Sequence, residues 1–330
     1  DRGWQVTVLE KQSVGAGSSG NPIAATFTRV SPHENPLSRF AVLSYLHALR
    51  QLQGHPCFEP RGVLQLMHSE KQQQQWRQLS ALCEPQSWVQ CLSPLETAVK
   101  LGRPNADEST MPSIWFPSAG TVKPALWCAE RLNHPNITVL TSVDVISIQA
   151  LDTPAEHRWQ LEDAQGRQYR SDNLVLCCAH HTVDLLPDMS ALIRGIRGQL
   201  SQLPAGSTLL GHQAPVVCHE GYLIPAQDGS ATIGATYDLN SDRADLKASD
   251  DIDNLMQSEK VLAPMGLLRN GLQAAPLRAA VRCASRDYLP LVGAVPDIAA
   301  MSTDFKALRR DAKKRIEETG SYIPGLYINV

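Results

Sequence analysis

The sequence predicts an α/β fold, α+β overall, in which a domain of parallel strands is interleaved with a second domain built on an antiparallel sheet. Three observations lead there. Gln5–Leu9 is an apolar strand that ends on an acid, Glu10, as the second strand of a dinucleotide-binding βαβ unit does. Helical and strand patterns alternate through much of the remaining chain. Glycine-bearing turns at Asp163–Gly166 and Gln227–Gly229 separate pairs of strand patterns, as antiparallel hairpins require. The parallel part is therefore read as a Rossmann-like nucleotide-binding domain. With 330 residues, the chain is long enough for two cores.

Helical patterns cover Leu37–Leu52, Glu70–Leu82, Lys123–Leu132, Asp250–Ala263 and Thr303–Glu318. Strand patterns cover Gln5–Leu9, Ile137–Leu140, Val143–Ala150, Trp159–Glu162, Leu174–Cys178, Gly198–Leu203, Tyr222–Pro225, Thr232–Ala235 and Tyr327–Val330. Thr26–Val30 reads as strand or extended chain. Residues 1–53, 119–195 and 276–330 are assigned to the nucleotide-binding domain, and 54–118 and 196–275 to the substrate domain. Ligands are expected between the two. The run Gln72–Gln75 reads as a solvated helix face.

Composition narrows the function classes. A hydrophobic content of 43% with 19% charged residues is that of a globular protein. A net charge of −3 announces no polyanionic partner, while leaving room for a local basic face. No apolar run approaches a bilayer span, so no membrane partner is expected. The eight cysteines show no C-x-x-C or Cys/His ligand spacing. They are read as buried reduced thiols of a cytoplasmic protein, with no metal.

The loop Gly15–Asn21 contains G-x-G-x-x-G at Gly15, Gly17 and Gly20. As a first dinucleotide fingerprint it fails, because Lys11–Val14 separate it from the strand and Pro22 follows where a helix should start. Glu10 at the end of a second strand fits better, since a carboxylate there accepts from ribose hydroxyls; an ordinary strand-end acid reads the same way. On this reading "DRGW" (residues 1–4) is the tail of a crossover helix capped by Gly3, and the fingerprint lies upstream of Asp1. The last residues, "YIPGLYINV", stop on a strand, so both ends are read as interior to a fold.

Several side chains could carry chemistry. Arg282 sits between Val281 and Cys283 in "AAVRCASRDYLPLVG" (Ala279–Gly293). A guanidinium in apolar surroundings must be paired, and its fork suits a substrate carboxylate or a structural acid such as Asp287. Tyr222 shares a strand face with Ile224 and Ala226, and its hydroxyl could meet an anion or simply stay wet. Glycines and small hydroxyls in Gly15–Asn21 permit close backbone approach to a ligand. His180 and His181 lack catalytic partners and read as loop residues. Arg309, Arg310, Lys313, Lys314 and Arg315 crowd one expected helix, either as a solvated face or as a phosphate contact.

The segments "VTVLEK", "GSSGNPIAATFTRVS", "GYLIPA", "TIGATY" and "VRCASRDYLPLVG" occur in this order, and in this the chain resembles the FAD-dependent oxidoreductase halves of the bifunctional bacterial MnmC proteins. The resemblance covers essentially the whole chain. The wider architecture looks like the D-amino-acid oxidase and glycine oxidase superfamily. The resemblance implies FAD as cofactor and tRNA carrying a modified wobble uridine as partner. It implies oxidative removal of the carboxymethyl group from 5-carboxymethylaminomethyl-(2-thio)uridine, giving aminomethyl-uridine and glyoxylate. A fused methyltransferase domain would lie outside this chain. The alternatives are a small-molecule amine oxidase of the glycine or sarcosine type, or an inactive truncated remnant.

By the same resemblance, Arg282 matches the arginine that holds the glycine-like carboxylate, and Tyr222 a tyrosine beside it. Glu10 matches the ribose-binding acid. Ser18, Ser19, Gly20 and Asn21 match the second cofactor loop, and Val143 lies where backbone meets the adenine. Three departures stand out. Ala24 replaces a common glycine, and Cys178-Ala179 replace Asn-Gly or Ala-Gly beside the cofactor. The first glycine loop and a terminal Gly-Ser-Arg-Gly loop are absent from the sequence. The isolated chain is therefore expected to bind FAD weakly or not at all, and the fragment alone to be inactive.

Overall fold

The computed structural model describes residues 3–33, 35–82, 88–103, 109–151, 158–211, 213–239, 241–317 and 319–330. The chain divides into two units, one made of Asp1–Val14, Leu132–Ile196 and Val281–Val330, the other of Gly15–Arg131 and Arg197–Ala280. Two of its four crossings between them fall inside long strands, Ile193–Leu203 and Ala275–Ser285.

The first unit holds the parallel pairings. Strand Val6–Glu10 runs parallel to Ile137–Thr141, with Glu10 opposite Thr141. Strand Leu174–Leu176 runs parallel to Tyr322–Asn329, which also pairs antiparallel with Val292–Pro296. A third sheet is an antiparallel meander of Val145–Ala150, Trp159–Asp163 and Gln168–Ser171. Its turn forms where expected: Asp163 Oδ1 accepts from the amides of Gln165 (3.0 Å) and Arg167 (2.9 Å), and Gly166 takes φ +77°. Trp159, Leu176, Met189, Ile193, Val295, Leu326 and Ile328 form the core.

The second unit is built on an eight-stranded sheet. Its order is Ala275–Ser285, Ile193–Leu203, Ala231–Gly234, Tyr222–Pro225, Val216–Cys218, Val63–Leu66, Ser113–Phe116 and Gln90–Leu92. The alternation anticipated around Tyr222 holds: Ile224 and Tyr222 face the cluster of Tyr45, Val63 and Phe116, whereas Leu223 faces Leu64, Leu203 and Leu262 on the other side. The Gln227–Gly229 turn also forms, with Gly229 at φ +74° and the Ala226 amide on Ser230 O at 2.8 Å.

By contacts, residues 15–53 and 119–131 belong with this second unit. The reason is a small sheet in which Ala24–Thr26 and Phe58–Glu59 flank Gly120–Val122. Helix Pro36–Leu52 adds Tyr45 to the same core. That helix starts where the sequence allows: Asn35 Oδ1 accepts from the Ser38 amide at 2.9 Å, and Pro36 occupies the first turn, where its missing N–H costs nothing.

Three sequence expectations are corrected, and one helix was not read. The helix Thr303–Glu318 is absent; a helix spans Ile298–Asp304, a 3-10 turn spans Lys306–Arg309, and irregular chain follows. Arg309/Lys313 and Arg310/Lys314 are like charges one helical turn apart, which disfavours a helix. Asp311 Oδ1 also accepts from the Lys313 amide at 2.9 Å, a local turn that competes with helix. The strand Leu174–Cys178 stops at Leu176, leaving Cys177 and Cys178 exposed rather than buried. Val143 precedes its strand, which begins at Val145. Helix Pro94–Lys100 went unread although Ser93 and Glu96 form a capping box. Of the helix tail proposed for residues 1–4, residues 1 and 2 lie outside the described residues; Gly3 has the φ of +75° that a C-cap takes.

Within the second unit, Arg197 is fully buried. Its guanidinium pairs with Asp250 and also donates to the Asp245 carbonyl and to Gln199 Oε1. Gln199 continues to Asp251 (2.9 Å) and the Lys247 carbonyl (2.9 Å), and Asn254 Nδ2 reaches Gln199 O and Ser201 Oγ. This network fixes helix Ala248–Leu262 against strand Ile193–Leu203. Removing one partner leaves a buried charge unmatched, at a cost of about 3–5 kcal/mol. Asp250→Ala should lower the unfolding free energy by that amount in urea titrations, and Asp250→Asn, which keeps an acceptor oxygen, by less.

Candidate functional site

The structure brings Glu10 and Val143 together. The parallel pair delivers both chain ends side by side, and the Val143 amide donates to the Glu10 carbonyl at 3.0 Å. The Ser142 amide reaches Gln12 O at 3.3 Å, and Lys11 pairs with Asp144 at 3.0 Å. The Gln12 amide donates to Glu10 Oε1 at 2.9 Å, which holds the half-buried carboxylate at the carboxyl end of its strand. In parallel α/β sheets this edge is where ligands bind.

In the same unit Arg282 lies half-buried in the long strand Ala275–Ser285, next to buried Val281. Asp287, the acid offered as an alternative partner, closes its own turn. Its Oδ1 accepts from Ser285 Oγ (2.9 Å) and the Leu289 amide (3.1 Å), and these bonds, the amide foremost, hold its carboxyl below the usual carboxylate range. A cavity of ≈ 290 Å³ opens at this end of the strand, lined by Cys283, Ser285, Tyr288, Pro290 and Val330 among others. Cys178 and Ala179 follow the strand Leu174–Leu176, and Ala179 takes φ +51°. That is the left-handed region which favours glycine, the residue the resemblance leads one to expect there.

The remaining candidates lie in the second unit. Ser18–Gly20 form a 3-10 turn, closed by Gly20 N–H to Gly17 O at 3.0 Å, and Asn21 leaves it in extended conformation. Gly15 takes φ +77°. Tyr222 is half-buried and opens its strand opposite Cys218 and Gly234.

One residue of this unit escaped the sequence reading. Arg278 donates through Nη2 to the carbonyls of Ala16 (2.5 Å) and Gly17 (2.5 Å), so it grips the glycine loop from a strand more than 250 positions away. A Cβ on Gly20 would lie 2.2 Å from Arg278 Nη1 and 2.3 Å from Gly15 O, so only glycine fits there. The available signal was strand alternation, which places Arg278 on the same strand face as Arg282.

A family model described as FAD dependent oxidoreductase matches residues 1–326. The chain belongs to this family. It is 32% identical, over 338 residues and 99% of its length, to the tRNA 5-methylaminomethyl-2-thiouridine biosynthesis bifunctional protein MnmC of Ectopseudomonas mendocina. Identity to the Chromobacterium violaceum protein of the same name is also 32%, over 341 residues. The chain spans about half the length of these curated relatives, 50% in each case. Among solved structures, glycine oxidase from Geobacillus kaustophilus superposes with a TM-score of 0.67 at 17% identity, covering 98% of this chain and 81% of that one. Iminodiacetate oxidase from Chelativorans superposes equally well, at 18% identity, with coverage of 99% and 83%. These two share the fold.

FAD is the family's cofactor, and the residues present fit it. An acid at the carboxyl end of a parallel strand suits ribose hydroxyls. A glycine loop whose carbonyls are held by a guanidinium suits a diphosphate, and nothing lies within 4 Å of where a Cβ on Gly17 would project. Among the described residues no group of three or more His, Cys, Asp or Glu could hold a metal ion, and no helix is long and apolar enough to cross a membrane.

The backbone at Ala179 gives a direct test of the local geometry. A left-handed alanine costs roughly 1–2 kcal/mol, of which glycine's greater unfolded-state freedom offsets roughly 0.5–1. Ala179→Gly should therefore raise stability by about 0.5–1 kcal/mol, read as a higher denaturation midpoint with an unchanged slope.

Proposed function

We propose that this chain removes the carboxymethyl group from 5-carboxymethylaminomethyl-(2-thio)uridine at the wobble position of tRNA, leaving aminomethyl-uridine and glyoxylate. The observation that carries the reading is a match running along 99% of the chain to proteins named for tRNA 5-methylaminomethyl-2-thiouridine biosynthesis. Arg282 stands in the motif segment as the group able to hold the acid.

The reacting part of the substrate is an N-substituted glycine. Its CH₂ loses a hydride and its nitrogen a proton, giving an imine; water adds to the imine carbon, the C–N bond breaks, and amine and glyoxylate separate. Bound FAD supplies the two-electron acceptor for that hydride. The protein's work is orientation. Arg282 holds the carboxylate in a two-pronged, charge-assisted contact, and the Tyr222 hydroxyl is offered as a donor to an anion. Glu10 takes the adenosine ribose, Val143 offers backbone beside the adenine, and Ser18, Ser19, Gly20 and Asn21 line the diphosphate and flavin. A methyltransferase would then act on the freed amine.

The exposed cations Lys306, Arg309, Arg310, Lys313, Lys314 and Arg315 suit RNA phosphates. Asp304 and Asp311, the acids among them, are engaged by Ser321 Oγ and by the Lys313 amide.

Three outcomes are expected of the native gene product that carries this chain. Glyoxylate should form from tRNA bearing the carboxymethyl group and not from free glycine or sarcosine. Arg282→Lys, which keeps the charge and loses the fork, should lower kcat/KM about 10- to 100-fold, the worth of one charge-assisted hydrogen bond. Neutralising Arg309, Arg310, Lys313 and Lys314 together should flatten the salt dependence of tRNA affinity by about 3 in log–log slope. Rapid turnover of sarcosine with modified tRNA left intact would contradict the proposal.

A further inference from the structure

We infer that Arg278 is the positioning residue of the cofactor loop: by gripping the carbonyls of Ala16 and Gly17 it turns the amides of Gly17 and Ser18 into a donor pair for the cofactor's diphosphate. The inference rests on the FAD reading and extends it to a residue outside the motif segments.

The argument starts from the planar peptide. In a trans peptide the C=O and the following N–H point in opposite directions. Arg278 Nη2 donates to Ala16 O and to Gly17 O, both at 2.5 Å. The N–H groups of Gly17 and Ser18 are therefore directed away from the guanidinium. Two successive amides pointing one way form a small anion-binding concavity. There is room at the loop's centre, since a Cβ on Gly17 would meet no atom within 4 Å. On the guanidinium side the fit is tight: Gly20 has no room for a Cβ, and its amide closes the turn onto Gly17 O at 3.0 Å. The Ala16 and Gly17 carbonyls are thus engaged by one cation and the loop's own turn.

A second observation bears on charge. Arg278 Nε is buried and has no acceptor among the described residues, so the guanidinium keeps donor capacity beyond the two carbonyls. A fixed positive charge behind a loop of outward amides adds to their attraction for a diphosphate. Lysine could supply the charge. It could not hold two neighbouring carbonyls in a planar fork.

The test compares Arg278→Met and Arg278→Lys with wild type in the native gene product. Three quantities are measured: amide hydrogen exchange across Ala16–Gly20 without cofactor, melting temperature without cofactor, and affinity for FAD and for riboflavin, which lacks the diphosphate. Arg278→Met should speed exchange in the loop and weaken FAD at least about tenfold, the scale of one charge-assisted contact, with riboflavin moved far less. A purely structural role would instead lower the melting temperature and weaken both flavins alike. The inference is overturned if FAD affinity is unchanged, if FAD and riboflavin weaken equally, or if Arg278→Lys restores full affinity. Wild-type protein that binds no FAD would overturn the cofactor reading, and this inference with it.

Discussion

A guanidinium taken out of water has to be met by acceptors in the right plane, and that constraint shapes this chain at several places. Arg197 is fully buried and draws in Asp250, Gln199 and the Asp245 carbonyl, which fastens a helix to the central sheet of its unit. Arg278 meets two loop carbonyls and fixes the conformation of the glycine loop. Arg282, four residues further along the same strand, is the one for which we propose a substrate carboxylate as the acceptor. Charge in apolar surroundings is costly. On this strand Arg278 meets that requirement through the loop carbonyls, which ties the strand to the loop.

Seen this way, the glycines of the opening loop have separate duties. Gly15 supplies a left-handed turn and Gly20 makes room for Arg278, while Gly17 has open space where a Cβ would project. The spacing G-x-G-x-x-G imitates a first dinucleotide fingerprint without its strand–turn–helix context. What distinguishes the two is the residue behind the loop, which no local motif contains. Ala179 shows the converse: its backbone takes a glycine conformation without glycine, in a place where the family resemblance leads one to expect that residue.

How much of this was legible in sequence depended on how local its cause was. Helix Pro36–Leu52 and the hairpin turns are written in caps and glycines within a few residues, and they were readable. Strands buried on both faces, such as Val63–Leu66 and Ser113–Phe116, show no alternation and were passed over. Pro94–Lys100 was missed despite its capping box, because a seven-residue helix leaves too short a periodic pattern. The basic stretch after Asp304 read as a helix on pattern alone, while repulsion between its charges pointed the other way. Of the candidate site, Glu10 and the glycine loop could be placed from strand and turn logic. Arg278 could not, since its partners lie at the opposite end of the chain and only tertiary structure joins them.

The central claim is that Arg282 grips a carboxylate, and a dead-end ligand tests it most directly. Glycolate has the acid of the proposed substrate and no amine to oxidise. Titrated into the FAD-loaded native gene product, it should perturb the flavin absorbance saturably, and Arg282→Lys should weaken that binding by about tenfold or more. Equal glycolate affinity in wild type and variant would contradict the account.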